Sequence, residues 1–479
     1  MKKILMVSSE CVPFIKTGGL ADVVGALPKY FPKKKYDVRV VLPKYLCMKQ
    51  QYVDKLEYVT NFNMDMYGES KYVGIFKTVH DGITFYFIDN EEQFQGSEPY
   101  GGMPWDLGKF TYFCRAVLSM LPVIGFKPDI IHCNDWQTAL IPAYLHEWRY
   151  PGTIYNNIRT IMTIHNLKFR GLWNIDDMKS ITGLNDWYFS YDKFEFYGLG
   201  SLLKGGIALA DKVTTVSRTY ADEICTYEYG EGLDPLLSYR RGDLSGIVNG
   251  IDYDVFNPKT DPALTVNYSA SAFINAKKKN KTALQKELGL KVDPKIMLIG
   301  IVSRLTDQKG MDILSCILND LMQDEVQIAV LGTGEQRFED TFRYFASAYS
   351  QNVSANIRYS EELAHRIYAG SDAFLMPSLF EPCGLSQLIS MRYGTVPIVR
   401  KTGGLKDTVI PYFENPEEGT GFAFDMYSSE ALLGTIRGVE GMFYDNKKTW
   451  NEIVKRAMKK DYSWKAAVKE YMALYDSLI

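Results

Sequence analysis

Short apolar runs alternate along the 479 residues with stretches whose apolar positions recur at helical spacing, and this alternation predicts parallel strand–helix–strand units. In the first half the runs Lys3–Val7, Val38–Leu42, Phe85–Ile88, Asp129–Cys133, Thr160–Ile164 and Lys212–Val216 read as strands. Leu20, Val23, Val24 and Leu27 mark one helical face, and Ile141, Tyr144, Leu145 and Trp148 mark another. A further run, Gly246–Val248, ends in Asn249-Gly250-Ile251-Asp252. From about 253 to 282 the periodicity fades into Pro, Asn, Ser and a basic run at Lys277–Lys279, which reads as the connection and approach to a second domain. The alternation then restarts with strands at Lys295–Val302, Val326–Leu331, Ala373–Met376, Val396–Val399 and Gly421–Phe424. The restart predicts two similarly built α/β domains in tandem, with ligands expected at strand C-termini. The last segment, from Asp461 to Tyr475, reads as a helix with Trp464, Ala467, Val468 and Met472 on one stripe.

One pentapeptide occurs twice. Lys16-Thr17-Gly18-Gly19-Leu20 follows the first apolar run, and Lys401-Thr402-Gly403-Gly404-Leu405 follows Val396–Val399. A strand, a cationic glycine turn and a helix together make a phosphate-binding device, because glycines let the backbone approach an anion and free helix N–H groups face it. Coincidence and simple tight turns explain the same letters.

Length alone favours two domains over one core. The formal net charge of −3 excludes a general nucleic-acid binder, although a local cluster of Lys and Arg still suits a nucleotide. Seven cysteines with no Cys-x-x-Cys pair fit a reducing compartment and neither a disulfide framework nor a metal centre. Lys2 and Lys3 precede a run that soon meets Ser8, Ser9 and Glu10, a first strand and not a signal peptide, and no segment is long enough to span a membrane. A cytoplasmic protein is expected.

Chemistry-bearing residues gather after the expected strands. Arg304 and Lys309 flank a loop where two cations can converge on a diphosphate, while a solvated basic loop paired with Asp307 fits equally. Glu381, in Glu381-Pro382-Cys383-Gly384-Leu385-Ser386, is either a site carboxylate or a helix-start acid; Cys383 reads as a small buried hydrophobe. His132 and His165 each end a strand, where a core histidine is the commoner meaning, and Asp22 sits where helix-dipole compensation alone accounts for it. The phosphate loop of ATPases, the dinucleotide fingerprint after the first strand and the serine-hydrolase elbow are all absent.

Taken in order, Lys16 to Val23, His132 to Trp136, Thr163 to Asn166, Val248 to Asp252, Ser303 to Gly310, Tyr359 to Glu361, Glu381 to Leu385 and Arg400 to Leu405 resemble the bacterial glycogen synthase and plant starch synthase family. That family comprises retaining glycosyltransferases of the GT-B fold, two Rossmann-like domains facing an interdomain cleft. The resemblance implies an N-terminal acceptor-side domain (1–248), a C-terminal donor-side domain (249–458) and a terminal helix (459–479) that crosses back to the first domain. It implies ADP-glucose as donor, the non-reducing end of an α-1,4-glucan (glycogen or a maltooligosaccharide) as acceptor, and no metal or other cofactor. By the same resemblance Lys16, with the Gly18 and Gly19 backbone, forms one side of the diphosphate site with Asp22 behind it. Arg304 and Lys309 neutralise the leaving diphosphate, together with N–H groups around Cys383, Gly384, Leu385 and Ser386. Tyr359 stacks on the base, Glu381 lies beside the transferred glucose, and His165 lies near its C6 end. Tyr100, Asp135, Trp136 and Asn249 line the sugar or acceptor region, and Thr402 and Gly403 approach the ligand from the second repeat. Two positions depart from common patterns: residue 389 is Ile where many retaining GT-B enzymes carry a second glutamate, and Ser386 replaces a frequent Thr. A UDP-glucose-dependent or small-acceptor glucosyltransferase is the nearest competing enzyme, and a glucan-binding protein that has lost catalysis is the non-enzymatic alternative. Oligomeric state has no signature in the sequence.

Overall fold

The computed structural model describes residues 1–66, 68–102 and 105–479. The chain divides into two compact units, Met1–Ile247 with Trp464–Ile479, and Val248–Ser463.

In the first unit, β1 (Lys2–Val7), β2 (Tyr36–Pro43), β3 (Glu57–Met66), β4 (Glu69–His80), β5 (Ile83–Asp89), β6 (Ile130–Asn134) and β7 (Arg159–Ile164) belong to one large sheet. Three short strands, β8 (Leu172–Asn174), β9 (Glu195–Phe196) and β10 (Leu199–Ser201), form a small antiparallel sheet, and β11 (Lys212–Thr215) and β12 (Leu244–Gly246) complete the large one. The order across the large sheet is β12-β11-β7-β6-β1-β2-β5-β4-β3. Ile4, Leu5, Met6 and Val7 of β1 are wholly buried, as a parallel strand covered on both faces requires. β3 and β4 pair antiparallel on the outer edge, and β3 is mostly exposed. The last expected strand of this unit lies two residues earlier than the apolar run suggested, at Leu244–Gly246.

The order reverses between β1 and β6, the switch point where α/β sheets bind ligands. The register sets Val7 beside Cys133 and Asn134 beside Thr163, so the loops after β1, β6 and β7 leave the sheet side by side. The terminal helix, Trp464–Asp476, belongs to this unit and buries Trp464, Ala467, Val468, Tyr471 and Tyr475. The Tyr475 ring stacks on Phe31, and its hydroxyl lies 2.7 Å from His132 Nδ1.

The second unit is built on one parallel sheet: β13 (Met297–Val302), β14 (Val326–Leu331), β15 (Val353–Asn356), β16 (Ala373–Met376), β17 (Val396–Arg400) and β18 (Phe422–Phe424). Its order is β15-β14-β13-β16-β17-β18, with the reversal between β13 and β16. The stretch expected to be an aperiodic approach instead runs into a helix at Phe273–Glu287. Its period was hidden because this helix buries Asn280, Lys281 and Gln285 alongside Phe273, Ala276 and Leu284. Lys277 of the basic run is a partly buried clamp that donates to Ala369 O (2.9 Å), Tyr393 O (3.2 Å) and Thr395 Oγ1 (2.8 Å). Lys281 pairs with Asp372 at the start of β16. Satisfied in this way, long cationic side chains are tolerated in an interior that otherwise excludes them.

Candidate active site

In the first unit, β1 delivers Ser8, Ser9 and Glu10 to the switch point. Glu10 is 4% exposed, and its carboxylate accepts from Thr17 N (2.5 Å), Thr17 Oγ1 (2.9 Å), Gly18 N (3.1 Å) and Tyr100 OH (3.1 Å). Of the Gly18 and Gly19 amides expected to face a phosphate, that of Gly18 faces an internal carboxylate, as does the Thr17 amide. Gly18 is the N-cap of the helix Gly19–Ala26 and is extended (φ −152°), so this copy of the repeat carries no left-handed glycine at that position. Lys16 Nζ lies 2.8 Å from Asp22 Oδ1 in the first turn of the same helix, both side chains about one-third exposed. Tyr100 links this group to the next through Phe110, whose ring meets Trp136 edge-on at 5.1 Å.

β6 and β7 deliver the second group. Asp135 stands at φ 56°, a backbone conformation rare for a residue with a side chain, and its Oδ1 accepts from His165 N at 2.7 Å. Burial, against the opposing pull of the His165 and Asn166 amides, raises its carboxyl to about 7, and the Glu10 charge adds to the rise. Burial pushes His165 down to about 3, so its ring is neutral near pH 7. Its Nε2 lies 2.9 Å from Asn134 Oδ1; the amide oxygen accepts, which leaves Nδ1 with a lone pair. His132 separates from His165 here. It bridges Tyr475 and Thr163 Oγ1 (2.5 Å) in the interior and is a core histidine.

In the second unit, the loop after β13 makes one short helical turn, Asp307–Lys309, that ends at Gly310 with φ 74°. A Cβ at Gly310 would lie 2.1 Å from Pro377 O, so glycine is required for the loop to lie against the end of β16. Lys309 Nζ sits 2.5 Å from Glu381 Oε2, and Ser378 Oγ donates to the same oxygen at 3.1 Å. Glu381 is 5% exposed, hence a buried carboxylate with a cationic partner. Asp307 pairs with Arg337 and neutralises neither Lys309 nor Arg304; the latter, exposed, reaches Gln308 Oε1 at 3.2 Å.

The second repeat supports this loop from behind. Gly404 N donates to Glu381 O (3.1 Å) and Pro382 O (3.2 Å), and Arg400 donates to Leu379 O. A Cβ at Gly403 (φ 42°) would lie 2.0 Å from Glu381 O, and one at Gly404 2.1 Å from Cys383 O. Thr402 is buried, and Lys401 is held by Glu414 (2.5 Å) and Asp425 (2.9 Å). Burial raises the Cys383 thiol to about 12, which removes it as a nucleophile near neutrality; Asn249 lies against it. The Asn249 Oδ1 atom is buried without a hydrogen-bond partner among the described residues. Gly384, at φ 73°, turns the chain over Gln387, and Leu385 caps the short helix Ser386–Arg392. Tyr368 OH donates to Ser386 Oγ at 3.1 Å. Ile389, where a second glutamate is common, is 6% exposed and packs into the core of this unit. Tyr359 follows β15 with its ring 74% exposed and its hydroxyl bonded to Glu361.

Each unit thus gathers its own set at its sheet's switch point: Lys16, Gly18, Gly19, Asp22, Tyr100, Asp135, Trp136 and His165 in the first, and Arg304, Lys309, Glu381 and the 383–386 turn in the second. Glu10, Ser378 and Arg400 are the additions that sequence reading missed. The available signal for Glu10 was its place at the end of a buried strand, shortly before a glycine loop rich in N–H donors.

Residues 3–239 match the starch synthase catalytic domain family, and residues 280–457 match the group 1 glycosyl transferases. The chain is 56% identical over 478 residues to a glycogen synthase of Lachnospira eligens, covering 100% of both chains. It is 47% identical to a glycogen synthase of Anoxybacillus flavithermus, covering 100% of this chain and 98% of that one. Among solved structures it resembles the catalytic domain of starch synthase IV from Arabidopsis thaliana bound to ADP and acarbose, with TM-score 0.92, 32% identity and coverage of 100% and 99%. The chain belongs to the glycogen synthase and starch synthase family of glycosyltransferases. A sucrose-phosphate synthase from Thermosynechococcus elongatus shares the fold at TM-score 0.63 and 16% identity.

Proposed function

We propose that this protein transfers glucose from ADP-glucose to the non-reducing end of an α-1,4-glucan with retention of configuration. The observation that carries the reading is the pairing of Lys309 with the buried Glu381 carboxylate at the second unit's switch point, in a chain matched over its full length by glycogen synthases. Glycosyl transfer builds positive charge at the anomeric carbon and negative charge on the departing phosphate. Lys309 and Arg304 meet the phosphate, and because its negative charge grows as it departs, these cations bind the transition state more tightly than the ground state. Glu381 lies beside the glucose, where its carboxylate balances the anomeric charge once Lys309 turns to the phosphate. His165, neutral, offers its Nδ1 lone pair to a sugar hydroxyl, its one ring proton being held by Asn134 Oδ1. Asp135, Trp136 and Asn249 border the sugar, and the exposed Tyr359 ring stacks on the base.

With Cys383 locked as a thiol and the Glu381 carboxylate committed to Lys309 and Ser378, attack is left to the acceptor hydroxyl, which the leaving phosphate itself deprotonates on the same face of the sugar. A glucosyl ester trapped on Glu381 would contradict this mechanism. All seven cysteines are free thiols, which suits an enzyme of the reducing cytoplasm. The test is incorporation of radiolabelled glucose into glycogen from ADP-glucose and UDP-glucose in parallel. The reading predicts polymer product with ADP-glucose preferred. A preference for UDP-glucose would favour the competing donor, and no product from either would defeat the proposal.

A further inference from the structure

The first glycine loop has the letters of a phosphate cradle, yet its Thr17 and Gly18 donors are spent inside the protein. A carboxylate offers about four lone-pair sites and no donor. Around Glu10 these sites meet the Thr17 and Gly18 amides, the Thr17 hydroxyl and the Tyr100 hydroxyl, all within 3.1 Å. Ser9 Oγ lies 2.9 Å from the same Tyr100 hydroxyl, which extends the network back to β1. A diphosphate that displaced Glu10 would leave a buried carboxylate stripped of its partners, which costs far more than one amide contact returns. One that left Glu10 in place would find both amides occupied and a like charge behind them.

We propose that Glu10 is the positioning residue of this loop: it serves as a built-in anion that holds residues 16–18 in place and leaves the Lys16 ammonium and the Gly19 amide as the loop's contribution to the diphosphate. This rests on the nucleotide-sugar reading above. It also explains why the loop needs no left-handed glycine at position 18, since the amides are aimed by a side chain and not by a turn. The Lys16–Asp22 contact, on the far side of the same turn, points the ammonium along the helix start until a phosphate offers a stronger partner.

The test compares Glu10→Ala, Glu10→Gln and the parent enzyme with ADP-glucose and glycogen. Glu10→Ala should lose about tenfold or more in kcat/KM for the nucleotide sugar, the scale of charged hydrogen bonds withdrawn from a loop. Millimolar formate, which refits a carboxylate into the vacated space, should restore much of that loss, whereas chloride at equal ionic strength should not. Glu10→Gln keeps the volume and loses the charge; it should be impaired and indifferent to formate. Parent-like kinetics in either variant would overturn the proposal, as would a loss in Glu10→Ala that formate leaves unchanged. If Glu10→Ala fails to fold, Glu10→Gln decides by the same kinetic criterion. A parent enzyme without turnover would count against the proposed function alone, and ADP affinity by calorimetry, with and without formate, would then carry the same comparison.

Discussion

The two copies of Lys-Thr-Gly-Gly-Leu share every letter and little of their physics. In the first, the loop closes on the Glu10 side chain, Gly18 is extended, and Lys16 is one-third exposed beside Asp22. In the second, the glycines are wedged against the carbonyls of Glu381 and Cys383, Gly403 is left-handed, and Lys401 is tied to two carboxylates. The first copy presents a cation; the second holds up the loop that carries Glu381. The lesson is that a motif's meaning lies in where its N–H groups go, which five letters do not state.

The sharpest way to break this contrast is to add a methyl group to each copy. Gly403→Ala, at the position equivalent to Gly18, forces a Cβ to 2.0 Å from the Glu381 carbonyl in a left-handed backbone, and should cost roughly 3 kcal/mol or more, with transfer lost as the Glu381 loop shifts. Gly18→Ala places its Cβ 4.0 Å from the nearest atom, Glu10 Oε1, and should change stability by about 1 kcal/mol or less. Calorimetric unfolding of both variants decides; equal destabilisation would erase the distinction.

Next in size is Lys309→Ala. It removes the cation paired with Glu381 and should slow turnover by about 100-fold or more, while glucan binding, measured by co-sedimentation with glycogen, stays close to the parent. A smaller effect attaches to the first unit and to pH. The Asp135 carboxyl is raised to about 7, so its charge changes near neutrality. Because its folded pKa lies above the unfolded value, its contribution to stability is complete below about pH 4 and is lost as pH rises toward 7. Asp135→Asn should therefore flatten the decline in stability over that window, as measured by denaturant unfolding from pH 4 to 8. An unchanged slope would show that Asp135 titrates normally.

Much of this was legible in the chain. Buried parallel strands such as Met297–Val302 are continuous apolar runs, and their restart after residue 290 announced two units. β3 and β4 escaped because they lie at an exposed edge, where polar residues interrupt the alternation. β15 escaped because Val353-Ser354-Ala355-Asn356 is short and half polar. The helix Phe273–Glu287 escaped because its buried face includes lysine and asparagine, made acceptable by partners distant in sequence. The cations and carboxylates after β13 and β16 were visible as residues, but their pairing was not. That Lys309 meets Glu381 while Asp307 meets Arg337 is decided by strand order, which spacing along the chain cannot reveal.

The most direct measurement sets Lys16→Ala and Lys401→Ala side by side in the glycogen-elongation assay with ADP-glucose. Lys16→Ala should lower kcat/KM by about 100-fold with its unfolding transition unchanged, since one fixed cation at a leaving phosphate is worth that much. Lys401→Ala, which loses only partly exposed ion pairs, should keep a rate within a few fold of the parent and cost about 1 kcal/mol or less. Equal losses of rate in the two variants, or a larger loss in Lys401→Ala, would contradict the unequal duties assigned to the two copies.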